Sequence, residues 1–388
     1  MSTPAHSQNR PTIAILGSGQ LAKMMAQAAT HLGCRVKVLE NRHNPAPLAA
    51  WEVTLGDWND PAVLIPFAEG ADVVTLENEF IESDALAELE VSGHLLFPPA
   101  SCLAQVQDKL LQKEALAAAN LPLAPFRPVS SPDEVVEAAE CWGWPLVLKR
   151  RKLGYDGKGN ATIRSAAEVA AAWQKLEGGA AALYVEQFCP FDRELAVMVT
   201  RARPDVSDEV VVYPVVDTLQ RDHICHTVTA PAQLPPEWMA AASLTAKRAV
   251  EAIGGVGSVG VELFLMSDGQ ILINEMAPRV HNSGHYSIEG CDCSQFENHI
   301  RAILGWPLGS PTLRAPAVAM VNLIGTGDGP AMPVGLRDAL AVEGAQIHIY
   351  GKDRSMKGRK MGHVTALGPT PEQALAIAQR AAQHLRFG

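Results

Sequence analysis

The chain has 388 residues, of which 47% are hydrophobic and 19% are charged, so it is long enough for two or three folded domains. A net charge of −10 argues against general nucleic-acid binding, which usually requires a basic surface. The polar N-terminus lacks the apolar core of a signal peptide, and no apolar run approaches the roughly 20 residues of a membrane span, so we expect a cytoplasmic protein.

The first predicted unit is a strand, a glycine turn, a helix and a second strand. The strand Thr12–Leu16 leads into the turn 17–22 and an alanine-rich helix to about His31, and Arg35–Glu40 forms the second strand. This order fits a Rossmann-like unit, in which Glu40 would hold the ribose of NAD. The same glycines also serve any tight turn that leads an anion to a helix N-terminus, so dinucleotide binding is one of two alternatives.

A further strand at 72–76 ends in Glu77, Asn78 and Glu79. Acidic residues at the carboxyl end of a strand in an open parallel sheet lie where ligands bind. The alternative is an ordinary solvated strand end.

The middle of the chain contains a predicted helix at 104–120, a helix at 132–141 and a strand at 145–149. The glycine-rich segment 153–160 lies between this strand and another at 161–164. A phosphate-binding loop of the Walker type leads into a helix, whereas this loop returns as a hairpin, so we expect its backbone amides to cover phosphates as a flap. Lys158 and the basic run 149–151 favour this over a plain surface hairpin.

A second hairpin pairs two glutamates. It follows predicted strands at 182–187 and 195–199 and a helix at 238–253, and it precedes a helix at 294–304. Strands at 260–266 and 270–275 joined by the two-residue turn Asp268-Gly269 would pair Phe264 with Ile273 and place Glu262 opposite Glu275. Two opposed carboxylates repel unless a cation lies between them, and magnesium suits a site with few protein ligands.

The C-terminal part has predicted strands at 318–323, 346–350 and 363–367. The loop 351–362 between the last two contains five cations and one acid, which favours a phosphate ligand in a protein of net charge −10. The alternative is a loop that only aids solubility.

Together these motifs resemble the ATP-grasp superfamily, and within it the N5-carboxyaminoimidazole ribonucleotide synthetase family. The resemblance rests on Gly-Ser-Gly-Gln-Leu at 17–21, Lys-Arg-Arg at 149–151, Gly-Tyr-Asp-Gly-Lys-Gly at 154–159, Asn-Glu-Met-Ala-Pro-Arg-Val-His-Asn-Ser-Gly-His at 274–285 and Gly-Arg-Lys-Met-Gly-His at 358–363. It implies an α/β protein with a Rossmann-like pre-ATP-grasp domain at 1–103, a two-lobed ATP-grasp domain at 104–305 and a small C-terminal α+β domain at 306–388.

The resemblance also implies the cofactors ATP and Mg²⁺. The family's metal ligands match Glu262 and Glu275, and Glu194 matches the carboxylate at the ribose. The remaining nucleotide positions match Lys109, Lys149, Gly154, Tyr155, Asp156, Gly157, Lys158, Gly159, Asn160, Glu186, Gln187, Phe188, Cys189, Gln220 and Asn274. A regular strand would face Asn274 away from the metal, so a role for it requires the strand to end or bulge there.

The family condenses 5-aminoimidazole ribonucleotide with bicarbonate at the expense of ATP, through carboxyphosphate. Arg279, His281 and Asn282 would hold bicarbonate, and Asp156 or His281 would accept the proton of the attacking amine. The ribonucleotide would lie between all three domains, with its 5′-phosphate on the basic loop, against Gln20, Leu21, Glu77, Tyr155, Asp156, Arg279, Lys352, Arg359 and Lys360. The resemblance also suggests a homodimer.

Three positions depart from the family pattern. Leu153 and Ala22 stand where glycine is frequent, and Gln220 stands near where a histidine commonly meets the nucleotide. Among rivals, the formate-dependent glycinamide ribonucleotide transformylase has a signature resembling Ser-Pro-Arg-Pro-His-Asp-Thr-Gly, which the segment 277–284 does not match. An NAD-dependent oxidoreductase leaves the glutamate pair unexplained, and a non-catalytic nucleotide sensor has little need for a second phosphate site.

Overall fold

A computed structural model describes residues 10–41, 50–152 and 159–388. Its first unit is a five-stranded parallel sheet with strand order β3-β2-β1-β4-β5. Its elements are β1 (Thr12–Leu16), α1 (Gln20–His31), β2 (Arg35–Glu40), β3 (Glu52–Leu55), α2 (Pro61–Ala68), β4 (Val73–Leu76), α3 (Ser83–Val91) and β5 (Leu96–Phe97). The predicted β1, α1 and β2 are confirmed, because short apolar runs bounded by glycine fix buried parallel strands.

Two helices follow where the sequence predicted one. α4 (Ala100–Gln107) and α5 (Lys109–Ala118) meet at Asp108, so the prediction of a single helix at 104–120 is wrong. Asp108 has an extended backbone, and its side chain accepts hydrogen bonds from the backbone of Leu110 and Leu111 at 3.0 and 3.3 Å. An aspartate that satisfies these free N–H groups begins a new helix, and this break places Lys109 at the first position of α5.

The smaller of two lobes is a four-stranded antiparallel sheet with strand order β6-β9-β7-β8. Its elements are β6 (Phe126–Val129), α6 (Pro132–Trp142), β7 (Leu146–Arg150), β8 (Asn160–Ile163), α7 (Ala166–Lys175) and β9 (Leu183–Gln187). The predicted hairpin on either side of the glycine-rich loop is confirmed by the pairing of Lys149 with Asn160. The loop residues 153–158 lie outside the described residues.

The larger sheet has nine strands and begins in the middle of the chain. Its first elements are β10 (Arg193–Arg201), β11 (Val210–Val212), β12 (Val216–Arg221), β13 (Ile224–Ala230), α8 (Pro236–Ala252), β14 (Gly257–Leu265) and β15 (Ile271–Ala277), followed by a 3-10 turn at Asn282–Gly284, α9 (Ser287–Gly290) and α10 (Gln295–Leu304). Odd-numbered apolar residues of β14 and β10 pack in one core with α8. The even-numbered residues, including Glu262, therefore face the other side of the sheet.

The C-terminal strands extend this same sheet. They belong to β16 (Ala317–Ile324), β17 (Gly329–Pro330), α11 (Leu336–Leu340), β18 (Ala345–Ile349), β19 (Arg354–Ser355), β20 (Lys360–Gly368) and α12 (Pro371–Ala382). The strand order β15-β14-β10-β12-β13-β16-β20-β18 joins them through the pair β13 and β16, with β11 beside β10. Because β18 and β20 pair directly, the basic segment between them connects two antiparallel neighbours, and it contains the short strand β19, which pairs with β17. In the described ranges, no helix is both long enough and apolar enough to span a membrane.

One buried histidine connects the first sheet to the larger one. The Nδ1 atom of His299 accepts a hydrogen bond from the backbone of Ser258 at 3.1 Å, so the proton lies on Nε2, which donates to Thr75 Oγ1 at 2.8 Å. Burial lowers the pKa of His299 to about 4. The folded protein therefore keeps this imidazole neutral where the unfolded chain would protonate it.

This buried histidine predicts a loss of stability in acid. Below pH 6.5 His299 is protonated in the unfolded chain but stays neutral in the folded protein, whose pKa for this group is about 4. The free energy of unfolding therefore decreases as the pH falls from 6.5 towards about 4. We expect a contribution on the order of 2 kcal/mol to the loss between pH 7.5 and 5. Urea titrations at both pH values measure it: His299→Gln should lose correspondingly less, and an equal loss in both proteins contradicts the prediction.

Candidate active site

The glutamate hairpin has the predicted pair but not the predicted turn. The backbone N–H of Met266 bonds to the carbonyl of Gln270 at 2.9 Å, so the loop has three residues, 267–269, with Gly269 at φ +87°. The predicted pairing of Phe264 with Ile273 is wrong, because Phe264 pairs with Leu272. A one-residue bulge at Asn274 then restores the register.

Glu262 therefore pairs directly with Glu275, as predicted. A three-residue loop with glycine in the left-handed region shifts the strands by one residue, and a bulge shifts them back. The sequence analysis required the strand to end or bulge at Asn274 if that residue has a role, and the bulge interrupts the regular alternation there. Asn274 is half-buried and precedes Glu275 directly.

The two carboxyl groups have opposite electrostatic environments. Burial and the neighbouring Glu275 raise the pKa of Glu262, whereas Lys360 and Lys109 oppose that rise. Burial would also raise the pKa of Glu275, but the ammonium group of Lys109, in direct contact with Oε2, outweighs it and lowers the pKa. The Glu275 side chain keeps 44% of its exposure. The pair is therefore held in place yet open on one side.

A second charged cluster lies on the smaller lobe. Lys149 Nζ lies 2.9 Å from Glu186 Oε2, and Lys113 Nζ lies 3.1 Å from Glu186 Oε1. Burial alone would raise the pKa of Glu186, yet the two ammonium groups lower it to about 2, whereas burial lowers the pKa of Lys113. Two cations around one carboxylate favour an ionised cluster.

Helix α5 connects the two charged clusters. Lys109 and Lys113 are four residues apart and so lie on one face of the helix, where they reach Glu275 of the larger sheet and Glu186 of the smaller one. The sequence analysis had identified Lys109 but missed Lys113. The spacing of the two lysines was the available signal, but the helix break that orients them was not predicted.

Arg279 lies just beyond β15 and is held by the first unit. Its Nη2 donates to Glu79 Oε2 at 2.8 Å, and its Nη1 donates to the carbonyl of Val280 at 3.0 Å. Its buried Nε has no hydrogen-bond partner among the described residues. The sequence analysis noted Glu79 only as part of a strand end. Glu79 and Arg279 are 200 positions apart in the sequence, and the fold brings them into contact.

The side chains of the following motif are fixed by polar contacts. Ser283 Oγ lies 2.6 Å from His281 Nδ1, and the backbone N–H of Ser283 also points to that atom at 3.5 Å, which places the ring proton on Nε2. His281 Nε2 is 3.7 Å from Glu262 Oε1, and burial lowers the histidine's pKa to about 3. Asn282 and Asn322 exchange two amide hydrogen bonds of 2.9 and 2.7 Å.

The glycine turn of the first unit holds a protein carboxylate. Glu77 accepts hydrogen bonds from the backbone of Gly19 at 3.0 Å and of Ala22 at 3.4 Å, at the N-terminus of α1. A Cβ added to Gly17 or Gly19 would lie within 2.5 Å of Glu77 atoms, so the glycines are needed for this approach. Burial raises the pKa of Glu77 to about 7.

Glu40 is occupied in the same way. It accepts hydrogen bonds from Ser18 N and Oγ at 3.0 and 2.8 Å. The glycine pattern that suggested NAD thus organises two carboxylates of the chain itself. This arrangement disfavours the dinucleotide alternative, because a pyrophosphate at the helix N-terminus would compete with Glu77.

The larger sheet brings Glu194 and Gln220 to the face of the glutamate pair. Ala196 pairs with Glu262, and Glu194, two residues earlier, pairs with Thr218, two residues before Gln220. Alternate residues of a strand share a face. Burial raises the pKa of Glu194.

The remaining described residues of the predicted site belong to the smaller lobe and to the first unit. Gln187 donates to the carbonyl of Trp142 at 3.3 Å; Phe188 and Cys189 are partly exposed just beyond β9, and Asn160 begins β8. Gln20 and Leu21 begin α1, and the Leu21 side chain is buried in the core of the first unit. The predicted residues Gly154, Tyr155, Asp156, Gly157 and Lys158 lie outside the described residues.

The basic loop contributes cations in different settings. Arg359 Nη1 lies 3.1 Å from Asp353 Oδ1 and 2.9 Å from the carbonyl of Arg354, whereas Lys352 lies 5.8 Å from the centre of the Tyr350 ring. Lys360 acts on the pKa of Glu262 and of His281. The charge of Lys360 therefore acts on the glutamate pair, which would not be expected if the basic loop only bound a phosphate at its tip.

Comparison with known proteins identifies the class to which this fold and site belong. Family models match at residues 11–107 (ribonucleotide synthetase preATP-grasp domain), 114–296 (ATP-grasp domain) and 318–377 (phosphoribosylaminoimidazole carboxylase C-terminal domain). The chain is an ATP-grasp ligase. Within that class it belongs to the N5-carboxyaminoimidazole ribonucleotide synthase family, which confirms the resemblance.

The relatives cover nearly the whole chain. The N5-carboxyaminoimidazole ribonucleotide synthase of Synechococcus elongatus is 41% identical over 91% of this chain and 88% of its own length. The phosphoribosylaminoimidazole carboxylase of Schizosaccharomyces pombe is 39% identical over 94% of this chain but only 66% of its own length. The Aspergillus clavatus N5-carboxyaminoimidazole synthase, solved with ADP and 5-aminoimidazole ribonucleotide, matches with TM-score 0.87, 35% identity and coverage of 96% and 98%.

Proposed function

We propose that this chain catalyses the ATP-dependent carboxylation of 5-aminoimidazole ribonucleotide by bicarbonate, giving N5-carboxyaminoimidazole ribonucleotide, ADP and phosphate in purine biosynthesis. The observation that carries this proposal is the direct pairing of Glu262 with Glu275. Next to this pair, His281 Nε2 lies 3.7 Å from Glu262 Oε1, and the charge of Arg279, two residues before His281, acts on the pKa of that histidine. A magnesium-nucleotide site and an anion site would thus adjoin. The names of the relatives and the ADP and ribonucleotide complex of one of them support the choice of substrate.

The glutamate pair fits magnesium. No group of three or more His, Cys, Asp or Glu side chains suited to a metal occurs in residues 10–41, 50–152 and 159–388. Magnesium needs few protein ligands, because water and substrate phosphates complete its shell. Glu262 and Glu275 would hold it, and it would neutralise charge on the phosphates when bound.

The first half-reaction would transfer the γ-phosphoryl group to bicarbonate. A bicarbonate oxygen bonds to phosphorus while the bond to the β-phosphate oxygen breaks, which gives carboxyphosphate and ADP. Arg279 would bind the bicarbonate, because two of its nitrogens are already fixed and its buried Nε still offers a donor. Lys109 and Lys149 would contact the phosphates, and Glu194 would accept from the ribose hydroxyls.

The second half-reaction would join the amine of the ribonucleotide to the carboxyl carbon. The new N–C bond forms as the C–O bond to phosphate breaks, and the nitrogen loses a proton. His281 is poorly placed to accept it, because Ser283 engages Nδ1 and the proton already lies on Nε2. We therefore assign His281 the role of donor to the carboxyphosphate and favour Asp156, which lies outside the described residues, as the base.

The ribonucleotide would bind where the first unit and the basic loop approach the glutamate face. Gln20, the backbone of Leu21, and Glu77 would contact it from α1 and β4. Lys352, Arg359 and Lys360 would contact it from the loop, with Arg359 at the 5′-phosphate. Lys23 Nζ donates to the carbonyl of Ile349 at 2.9 Å, which keeps the two regions together.

Removing the guanidinium of Arg359 should weaken ribonucleotide binding. We expect Arg359→Ala to raise the KM for the ribonucleotide roughly tenfold, with the KM for ATP unchanged, because a charge-assisted phosphate contact is lost. Arg354→Ala is the matched control, since Arg354 is exposed on the same loop and pairs with Asp328 at 3.4 Å. An unchanged ribonucleotide KM in Arg359→Ala removes the phosphate role.

One assay tests the proposed function. ADP release is measured with magnesium and ATP, first with 5-aminoimidazole ribonucleotide plus bicarbonate and then with glycinamide ribonucleotide plus formate. ADP release only with the first pair supports the proposal, and release only with the second pair assigns the transformylase.

Domain limits at 103/104 and 305/306, a cytoplasmic location and a homodimer stay predictions.

A further inference from the structure

A buried glutamine on α10 holds the backbone of the Arg279 to Asn282 segment on both sides. Gln295 Oε1 accepts the backbone N–H of His281 at 2.9 Å, and Gln295 Nε2 donates to the carbonyl of the same residue at 2.6 Å. Gln295 is fully buried, and its Nε2 also lies 3.3 Å from His285 Nδ1. A side-chain amide offers a donor and an acceptor together, so it can imitate a neighbouring strand.

The chain needs this support because β15 ends at Ala277, before the segment that carries His281. A buried backbone N–H without a partner is costly, and a strand neighbour no longer supplies one. The space for the amide is reserved by glycine, since a Cβ on Gly284 would lie 2.7 Å from Gln295 Cδ. The contact is therefore built into the motif.

Gln295 is itself fixed to the strand that carries Glu262. Its backbone carbonyl accepts from Ser258 Oγ on β14 at 2.7 Å, and its backbone N–H donates to Ser287 Oγ at 3.0 Å. Gln295 thus connects β14 with the His281 backbone through direct hydrogen bonds. A displacement of its amide would move Arg279 and Asn282 relative to the glutamate pair.

We propose that Gln295 is a positioning residue for the bicarbonate half-reaction. It sets the distance between the proposed phosphoryl site at Glu262 and Glu275 and the anion-binding side chains that flank His281. This inference rests on the proposed function. A loose segment would hold bicarbonate poorly and would let water reach carboxyphosphate, so part of the ATP would be consumed without product.

The test compares Gln295→Met with a matched variant of the same helix. Asn298 is also fully buried, and its side chain bonds to both the N–H and the carbonyl of Gly309 at 2.7 and 2.9 Å, away from the glutamate pair. Asn298→Leu therefore removes the same kind of contact from a different backbone segment. Each protein is assayed for the KM of bicarbonate, the KM of ATP and the ADP released per ribonucleotide consumed.

We expect Gln295→Met to raise the KM for bicarbonate about tenfold and to release more than one ADP per ribonucleotide, because small misplacements have large kinetic effects. The KM for ATP should change less than about twofold. Asn298→Leu should match the wild type in all three quantities, even if it lowers the melting temperature as much as Gln295→Met does. Gln295→Asn, which keeps the donor and the acceptor on a shorter side chain, should give an intermediate effect and serves if Gln295→Met does not fold.

Two failures are distinguishable. If the wild type consumes no ribonucleotide with bicarbonate, the proposed function is wrong. If the wild type is active and both Gln295 variants keep its bicarbonate KM and ADP ratio, or share any change with Asn298→Leu, Gln295 has only a structural role.

Discussion

Glu275→Gln should reduce magnesium-dependent turnover by roughly 10³-fold or more, since phosphoryl transfer depends on neutralising the charge of the transferred group. The amide keeps the shape of the side chain but removes one of two proposed metal ligands. It also removes the counter-charge of Lys109, whose ammonium group contacts Glu275 directly. Steady-state ADP release across a magnesium titration measures the loss.

A second measurement separates metal binding from general damage. Calorimetry should show that magnesium strengthens ADP binding to the wild type but not to Glu275→Gln. Glu297→Gln is a suitable control, because Glu297 also pairs with a cation, Arg301, at partial exposure but lies on α10 outside the site. Full activity of Glu275→Gln would exclude the metal assignment.

The glutamate pair shows how a sequence prediction can succeed by a partly wrong route. Asp268-Gly269 predicted a hairpin, and strand alternation predicted that Glu262 faces Glu275, but the loop has three residues. The bulge at Asn274 reverses the one-residue shift in register that the longer loop causes. Hairpin existence follows from local turn chemistry, whereas a bulge depends on contacts at the sheet edge, including the bonds of Gln112 to the backbone of Met276 at 3.1 and 3.3 Å.

Residues that act across long distances in the chain were the ones the sequence analysis missed. Glu79 meets Arg279, and Gln295 meets His281, only after the parallel sheet and α10 have packed beside the larger sheet. No periodicity or spacing records such meetings. By contrast, strands β1 and β2 could be predicted because a continuous apolar run between glycine turns specifies them locally.

The glycine turn illustrates the difference between a motif and its use. Gly17 and Gly19 predicted an anion at the N-terminus of α1, and the group that lies there is the carboxyl of Glu77. The free N–H groups at the helix N-terminus therefore have an acceptor within the chain itself, and an added ligand at this turn stays a prediction. Because burial raises the pKa of Glu77 to about 7, its charge is sensitive to what binds beside it.

Arg279→Lys should lower kcat/KM for bicarbonate about 10²-fold to 10³-fold, the range typical of losing a preorganised donor to a developing anion. Lysine keeps the positive charge, but its three N–H donors diverge from one nitrogen. Arg279 directs donors towards Glu79, the carbonyl of Val280 and a third, buried position from three separate nitrogens of a rigid plane. The KM for ATP should stay near the wild-type value, because Arg279 bonds to Glu79 and Val280, whereas Lys109 and Lys149 are the residues proposed to contact the phosphates.

The matched control is Arg314→Lys, which alters an exposed arginine 3.8 Å from Asp292. Such surface pairs contribute little, so its kinetics should equal those of the wild type. Initial rates over a bicarbonate series at saturating ATP and ribonucleotide distinguish the two variants. Equal bicarbonate dependence in Arg279→Lys and the wild type would mean that charge alone suffices at this position. The fixed geometry imposed by Glu79 would then have no part in binding the anion.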